Sequence, residues 1–238
     1  MLKRRPLEAL RALRELVRNP EDTAQVFVIM RALSGDAIAK GTARFAGCQT
    51  GVELLRNPRD LVSVLTDRTR LAKFAEGSLA RAYLDVVGPA GITAEGLVTV
   101  SEETAREYVQ LTADQGVYAK RLRDSHDLWH TVTGYGTDTF GEVCVVAFSY
   151  GQTRNLGFAV IALIGALKIA RVTGEAKVLR AAWQAYRDGR DAAWLPPIVW
   201  EHLLDRPLTD VRQLLRVAPP TRYRSLRARF STPVFQSA

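Results

Sequence analysis

Apolar residues recur at helical spacing along most of this 238-residue chain. The first run consists of Leu7, Leu10, Leu13 and Leu16, and it stops at Asn19-Pro20. Residues three or four positions apart lie on one face of an α-helix, so this pattern predicts an amphipathic helix. Strand-like sequence is confined to a short candidate at Leu97–Val100. The pattern therefore predicts an all-α fold.

The chain shows neither an internal repeat nor a long linker, and 47% of its residues are apolar. We therefore predict a single multi-helix domain over residues 1–217 with its own core. Proline, arginine and serine dominate residues 218–238, which predicts an extended basic tail. Leu156–Leu167 is almost uniformly apolar but shorter than the roughly twenty residues that span a bilayer. It is predicted to be a buried or interfacial helix.

The composition limits the compartment and the partners. Two cysteines, Cys48 and Cys144, provide no disulfide framework, which indicates a reducing compartment. The basic start Met1–Arg5 is followed by a charged amphipathic segment, so no signal peptide is predicted. The net charge of +8 has two interpretations that stay open here: a generic solvated basic surface, or attraction to an anionic membrane surface or anionic ligands. No nucleic-acid-binding motif is present in the sequence, so no nucleic-acid partner is expected.

Two of the three histidines, His126 and His130, are four residues apart within a helix predicted from Asp114 to Thr131. At that spacing both imidazoles lie on one helix face and can bind one metal ion. Glu142 follows twelve residues after His130, and the intervening segment around Gly134 is rich in turn formers. The chain can therefore fold back and bring Glu142 towards the histidines.

The candidate ligands are His126, Asp127, His130 and Glu142, two imidazoles and two carboxylates. This mixed set suits zinc best, with iron or manganese as alternatives. Asp127 either binds the ion directly, which we favour, or orients a histidine as a neighbouring carboxylate. The competing interpretation is an ordinary helix face with two hydrogen-bonded histidines beside a solvated acid.

Two arginines precede the histidines, and a guanidinium group can hold a carboxylate through two hydrogen bonds. Arg121 and Arg123 are therefore candidates for binding an acidic substrate, with a solvated basic face as the alternative.

The sequence around the histidines resembles a known family motif, His-Asp-x-x-His followed after eleven residues by Glu. Similarity extends over about residues 8–217 and is carried by these segments: Asn19–Asp22, Gly77–Tyr83, His126–Tyr135, Gly141-Glu142, Trp200–Leu204 and Val211-Arg212. The chain resembles the coenzyme Q biosynthesis protein 4 family. It departs from the better-known members at Val143–Ser149, which lacks an expected lysine and glutamate.

The resemblance implies an all-helical protein, bound peripherally to the cytoplasmic face of the inner membrane, that acts in ubiquinone biosynthesis. It implies a carboxy-lyase that removes the ring carbon 1 carboxyl group of a polyprenylated 4-hydroxybenzoate, with a zinc-type metal. The implied metal ligands are His126, Asp127, His130 and Glu142, with Glu142 and Asp127 also as catalytic residues. Expected partners are a prenylated benzoate or quinone-type lipid, other ubiquinone biosynthesis proteins and a second copy of the chain. The polyprenyl tail requires an apolar lipid-binding groove, for which the helix over Gly157–Ala170 and its neighbours are the candidates. A non-catalytic lipid-binding organiser and a metal-dependent hydrolase are the alternatives.

Overall fold

The computed structural model describes residues 4–19, 22, 24–88 and 111–230, and every regular element in those ranges is helical. The predicted all-α fold is confirmed. The predicted short strand at Leu97–Val100 lies outside the described residues. The α-helices are, in chain order, α1 (Pro6–Arg18), α2 (Ala24–Ser34), α3 (Ala37–Ala46), α4 (Gln49–Arg56), α5 (Leu61–Thr66), α6 (Arg68–Leu71), α7 (Leu79–Val87), α8 (Ala113–Asp124), α9 (His126–Thr133), α10 (Thr139–Thr153), α11 (Leu156–Thr173), α12 (Lys177–Asp191), α13 (Leu208–Leu214) and α14 (Thr221–Arg227), and a 3-10 helix covers Trp200–His202.

The chain divides into two compact units, each assembled from separate stretches of sequence. The first comprises residues 1–37, 135–191 and 219–238. Within it α10 packs against α11 and α12, and α11 also packs against α2. Helix α10 is the buried apolar helix of this unit, since side chains on all its sides, such as Phe140, Cys144 and Phe148, are buried.

The second unit comprises residues 38–134 and 192–218. Helix α9, which carries both histidines, packs against α7, α8 and α13. Phe45, Leu54 and Tyr118 form a buried cluster in this unit, and Trp194 stacks on Tyr118 with ring centroids 6.5 Å apart. The histidine helix is therefore part of a packed core rather than a surface element.

The predicted helix from Asp114 to Thr131 is broken at one residue, so the single-helix prediction is wrong. Ser125 separates α8 from α9, and its buried hydroxyl donates to the carbonyl oxygen of Arg121 at 2.8 Å. Serine hydroxyls that bond to the preceding turn compete with the helical ladder and bend helices. Both histidines fall after the break, at positions one and five of α9.

The apolar segment after Glu142 forms two helices of different character. Helix α11 has exposed leucines at Leu163 (56%) and Leu167 (49%), so it is apolar without being mainly buried. Its 18 residues have a mean hydropathy of 1.9, enough by length and composition alone to cross a membrane, a criterion that core helices of soluble proteins also meet. A lipid-binding groove stays a prediction.

Part of the predicted extended tail is helical, which corrects the sequence interpretation of residues 218–238. Helix α14 begins after Pro219-Pro220, a position that proline tolerates because the first helical amides need no partner. Tyr223 and Leu226 are buried on one face of it. Their three-residue spacing, followed by Phe230 four residues later, is the helical signal that the proline and arginine content obscured.

Candidate metal centre

Helix α9 is buried along its length and held at its C-terminal end. Every residue from Asp127 to Thr133 is buried. The helix ends at Gly134, which adopts a left-handed φ of 75°. The backbone amide of Gly134 donates a hydrogen bond to the carbonyl oxygen of His130 at 2.8 Å. Arg212 of α13 donates to the carbonyl oxygens of Thr131 and Val132 at 3.1 and 2.8 Å. These bonds satisfy carbonyls that a helix terminus otherwise leaves unpaired.

The two histidines of α9 lie against each other as their spacing predicts. Their ring centroids are 4.8 Å apart, with an interplanar angle of 70°. His130 is buried, with 1% of its surface exposed, whereas His126 is half-buried. A pair of this kind presents one imidazole to the interior and one towards solvent.

Glu142 joins the histidine pair. One ligand atom from each of His126, His130 and Glu142 lies within 4.8 Å of the others, so one ion could bind all three. Two imidazole nitrogens and one carboxylate oxygen are the ligand set of many catalytic zinc sites, in which the fourth position is left for water or substrate. The donor atoms therefore fit a divalent cation of the zinc type.

Asp127 contacts His126 rather than joining this three-residue group. Its Oδ1 lies 3.3 Å from the Nδ1 atom of His126. A carboxylate in this place orients an imidazole and favours coordination through the opposite nitrogen. Direct ligation by Asp127 stays a prediction.

Tyr83 of α7 was not a candidate from the sequence, yet it lies in the electrostatic field of Asp127. Burial, and after it the negative charge of Asp127, raises the pKa of Tyr83 well above its ordinary value, while Arg68 opposes the shift. The phenol therefore stays protonated at neutral pH. No sequence spacing links Tyr83 to Asp127, so only the fold reveals the relation.

Arg121 forms an ion pair with Glu201 inside the second unit. Its two terminal nitrogens donate to the carboxylate of Glu201 at 2.9 and 2.8 Å, and one of them also donates to the carbonyl oxygen of Ile198. Burial alone would raise the pKa of Glu201, but the hydrogen bonds and charge of Arg121 hold it below its ordinary value. The structure thus gives Arg121 a structural partner, and substrate binding by it stays a prediction.

Arg123 lies next to a buried carboxylate. Its side chain donates to Asp124 at 2.8 Å, and Lys120 reaches the other oxygen of the same carboxylate at 2.6 Å. A role for Arg123 in binding substrate likewise stays a prediction.

Comparison with known proteins places the chain in context. The sequence model of a family described as coenzyme Q (ubiquinone) biosynthesis protein Coq4 matches residues 1–221. The mitochondrial ubiquinone biosynthesis protein COQ4 of Lachancea thermotolerans is 27% identical over 183 residues, which cover 75% of this chain and 53% of the yeast protein. The mouse mitochondrial homologue is 29% identical over 201 residues, which cover 82% of this chain and 72% of the mouse protein. The chain thus spans about half the length of the yeast relative.

A solved structure shares the fold. The crystal structure of a Nostoc punctiforme protein, assigned provisionally to ubiquinone biosynthesis, superposes with a TM-score of 0.62 at 21% identity. The superposition covers 90% of this chain and 99% of the Nostoc chain.

Proposed function

Because the chain belongs to the coenzyme Q (ubiquinone) biosynthesis protein Coq4 family, we propose that it acts in ubiquinone biosynthesis as a metal-dependent decarboxylase of a polyprenylated 4-hydroxybenzoate. The observation that carries this proposal is the convergence of His126, His130 and Glu142. The reaction breaks the bond between ring carbon 1 and the carboxyl carbon and releases carbon dioxide. The ring carbon keeps the electron pair of that bond and takes up a proton. In an oxidative version one atom of dioxygen becomes the ring hydroxyl, and the other is reduced to water by two electrons from an added two-electron donor and two protons.

His126, His130 and Glu142 would hold the metal. A divalent cation in this place supplies positive charge that polarises the oxygen atoms of a carboxylate or phenol. The burial of His130 keeps that end of the site away from bulk water, which strengthens electrostatic interactions there.

Asp127 and Glu142 have different parts in this proposal. Asp127 holds the Nδ1 side of His126, fixing the ring's orientation. Glu142 is half-buried in the first turn of α10, so its carboxylate remains accessible to substrate. A carboxyl group at this place can also carry the proton that the ring requires.

We propose that the protein associates with membrane surfaces through the first unit. Leu163, Leu167 and Val172 are exposed on α11, and the basic residues Lys168 and Arg171 are exposed among them. Apolar side chains next to lysine and arginine are typical of helices that bind anionic lipid surfaces. The same face favours the second candidate function, a non-catalytic organiser that presents lipid intermediates to other ubiquinone biosynthesis proteins.

The deciding experiment is release of carbon dioxide from a carboxyl-labelled, prenylated 4-hydroxybenzoate. We expect release by the zinc- or manganese-loaded protein, measured with and without dioxygen, and none by the Glu142→Gln variant. Binding of the lipid without release by any metal-loaded form would contradict the decarboxylase and favour the organiser. Hydrolysis of esters that have no prenyl group would instead favour a metal-dependent hydrolase.

A further inference from the structure

The turn before Glu142 is held by a side-chain cluster on the C-terminal helix, outside the region that the family model matches. That match ends at residue 221, whereas Tyr223 and Arg227 lie beyond it on α14. Both side chains bind Asp138, the N-cap residue immediately before α10.

Asp138 connects α14 with the residue that carries the candidate ligand carboxylate. Its Oδ1 accepts the amide of Gly141 at 3.0 Å, and its backbone carbonyl accepts the amide of Glu142 at 2.9 Å. Its Oδ2 accepts the hydroxyl of Tyr223 at 2.7 Å and lies 3.1 Å from the Nε atom of Arg227. One carboxylate therefore joins the start of α10 to two residues of α14.

The hydroxyl of Tyr223 also accepts the backbone amide of Gly136 at 2.9 Å. Only 2% of Tyr223 is exposed, and its ring packs against Tyr135 and Phe140 with centroids 5.3 and 5.0 Å away. Burial, and to a smaller extent the negative charge of Asp138, raises the pKa of Tyr223 well above its ordinary value. The hydroxyl consequently remains a donor throughout the physiological pH range.

Glycine at position 136 makes this close approach possible. A Cβ atom on Gly136 would lie 2.6 Å from Oδ2 of Asp138 and 2.7 Å from the hydroxyl of Tyr223. Any larger residue would push apart the two groups whose hydrogen bond closes the cluster.

We infer that Tyr223, Arg227 and Asp138 form a latch that fixes the first turn of α10 and thereby positions Glu142 as a metal ligand. Tyr223 and Arg227 act through Asp138 and touch neither metal nor substrate, so they are positioning residues. The inference deepens the proposed function and rests on it for the role of Glu142.

Two readouts test the latch in full-length protein: amide hydrogen exchange of residues 136–142 without metal, and cobalt(II) affinity by competition with a chelator. In Tyr223→Phe the ring packing remains while both hydroxyl bonds are lost. We expect exchange in this segment to accelerate about fivefold or more and cobalt affinity to fall about 10- to 100-fold. Arg227→Gln, a change at a side chain that is 59% exposed, provides a second variant that spares the core and should shift both readouts in the same direction.

Tyr186→Phe is the matched control, because its hydroxyl is bonded to Arg154 elsewhere in the same unit. It should leave both readouts at wild-type values. Unchanged exchange of residues 136–142 in both Tyr223→Phe and Arg227→Gln overturns the latch, whether or not the protein binds cobalt. Accelerated exchange in a protein whose wild type binds no cobalt supports the latch on the turn and contradicts the proposed metal function instead.

Discussion

The buried ion pair between Arg121 and Glu201 is expected to contribute to the stability of the second unit. Both side chains are largely shielded from solvent, and two hydrogen bonds join them. Arg121→Met would leave the carboxylate of Glu201 buried without its partner, which in other proteins costs about 3–5 kcal/mol. We expect a loss of that size in the free energy of unfolding measured with urea.

Arg123→Met is the matched control for Arg121. Its partner Asp124 retains Lys120 at 2.6 Å, so a much smaller loss of stability is expected. If Arg121→Met unfolds at wild-type urea concentrations but no longer binds the prenylated benzoate, the structural role assigned to Arg121 is wrong and the substrate role predicted from the sequence is favoured.

Asp188 of α12 gives the folding free energy a dependence on pH. Burial raises the pKa of Asp188, while the hydrogen bond from Tyr135 opposes the shift. The folded state therefore holds this proton more tightly than the unfolded chain, so stability falls as pH rises from the ordinary aspartate pKa through the raised value. We expect Asp188→Asn to be more stable than wild type at pH 7.5 and this advantage to shrink towards pH 4, as measured by urea unfolding across that range. If the free energies of unfolding of wild type and Asp188→Asn changed with pH in parallel, the raised pKa of Asp188 would be contradicted.

The spacing of residues made part of the site predictable. His126 and His130 are one helical turn apart, and a short turn separates them from Glu142, so local geometry alone predicts that they converge. Arg121 and Glu201 are 80 residues apart, and no periodicity connects them. Tyr83 lies in the electrostatic field of Asp127, and Tyr223 binds Asp138. Both were missed for the same reason, because only the packed fold brings these groups near each other.

At the scale of elements, apolar periodicity identified helices but not their ends. The break at Ser125 depends on one buried hydroxyl that donates to the carbonyl oxygen of Arg121. Serine is common enough inside helices that its presence alone does not predict a break. Helix α14 was not predicted, because Pro219 and Pro220 favoured an extended tail. These prolines lie just before the first turn of the helix. One buried serine hydroxyl and one pair of prolines, rather than the apolar pattern, therefore mark these two helix boundaries.

Two glycine substitutions should have opposite effects on stability. Gly116 lies inside α8, and a Cβ atom there would meet no neighbour within 4 Å. Gly116→Ala should therefore raise the free energy of unfolding by about 0.5–1 kcal/mol, the usual advantage of alanine within helices. Gly136→Ala should lower it, because the added methyl group displaces Asp138 or Tyr223 from the latch. Urea titration of both variants checks the signs, and stabilisation by Gly136→Ala would contradict the close packing of that turn.

At the scale of the whole molecule, the excess of basic residues and the exposed face of α11 predict attachment to anionic membranes. The double variant Leu163→Asp/Leu167→Asp should bind vesicles containing anionic lipid markedly less than wild type, because it places charge on the apolar face. Leu214→Asp, at a leucine 55% exposed on α13, is the matched control and should bind as wild type does. Sedimentation with vesicles at low and high salt measures both, and equal loss in the two variants would contradict a specific role for α11.

The sequence predicted the helical class because that follows from local periodicity. It did not predict two units interleaved along the chain, since residues 1–37, 135–191 and 219–238 come together only through long-range packing. The convergence of His126, His130 and Glu142 carries the proposed metal-dependent chemistry, and the family relationship suggests its substrate.

Elemental analysis of the purified protein tests the central claim, a divalent cation held by His126, His130 and Glu142, most directly. Wild type should contain about one zinc-type ion per chain, and His130→Ala should lose it. His202→Ala, which alters the histidine bonded to Arg59, should retain the ion as wild type does. Equal metal content in wild type and His130→Ala would contradict the account.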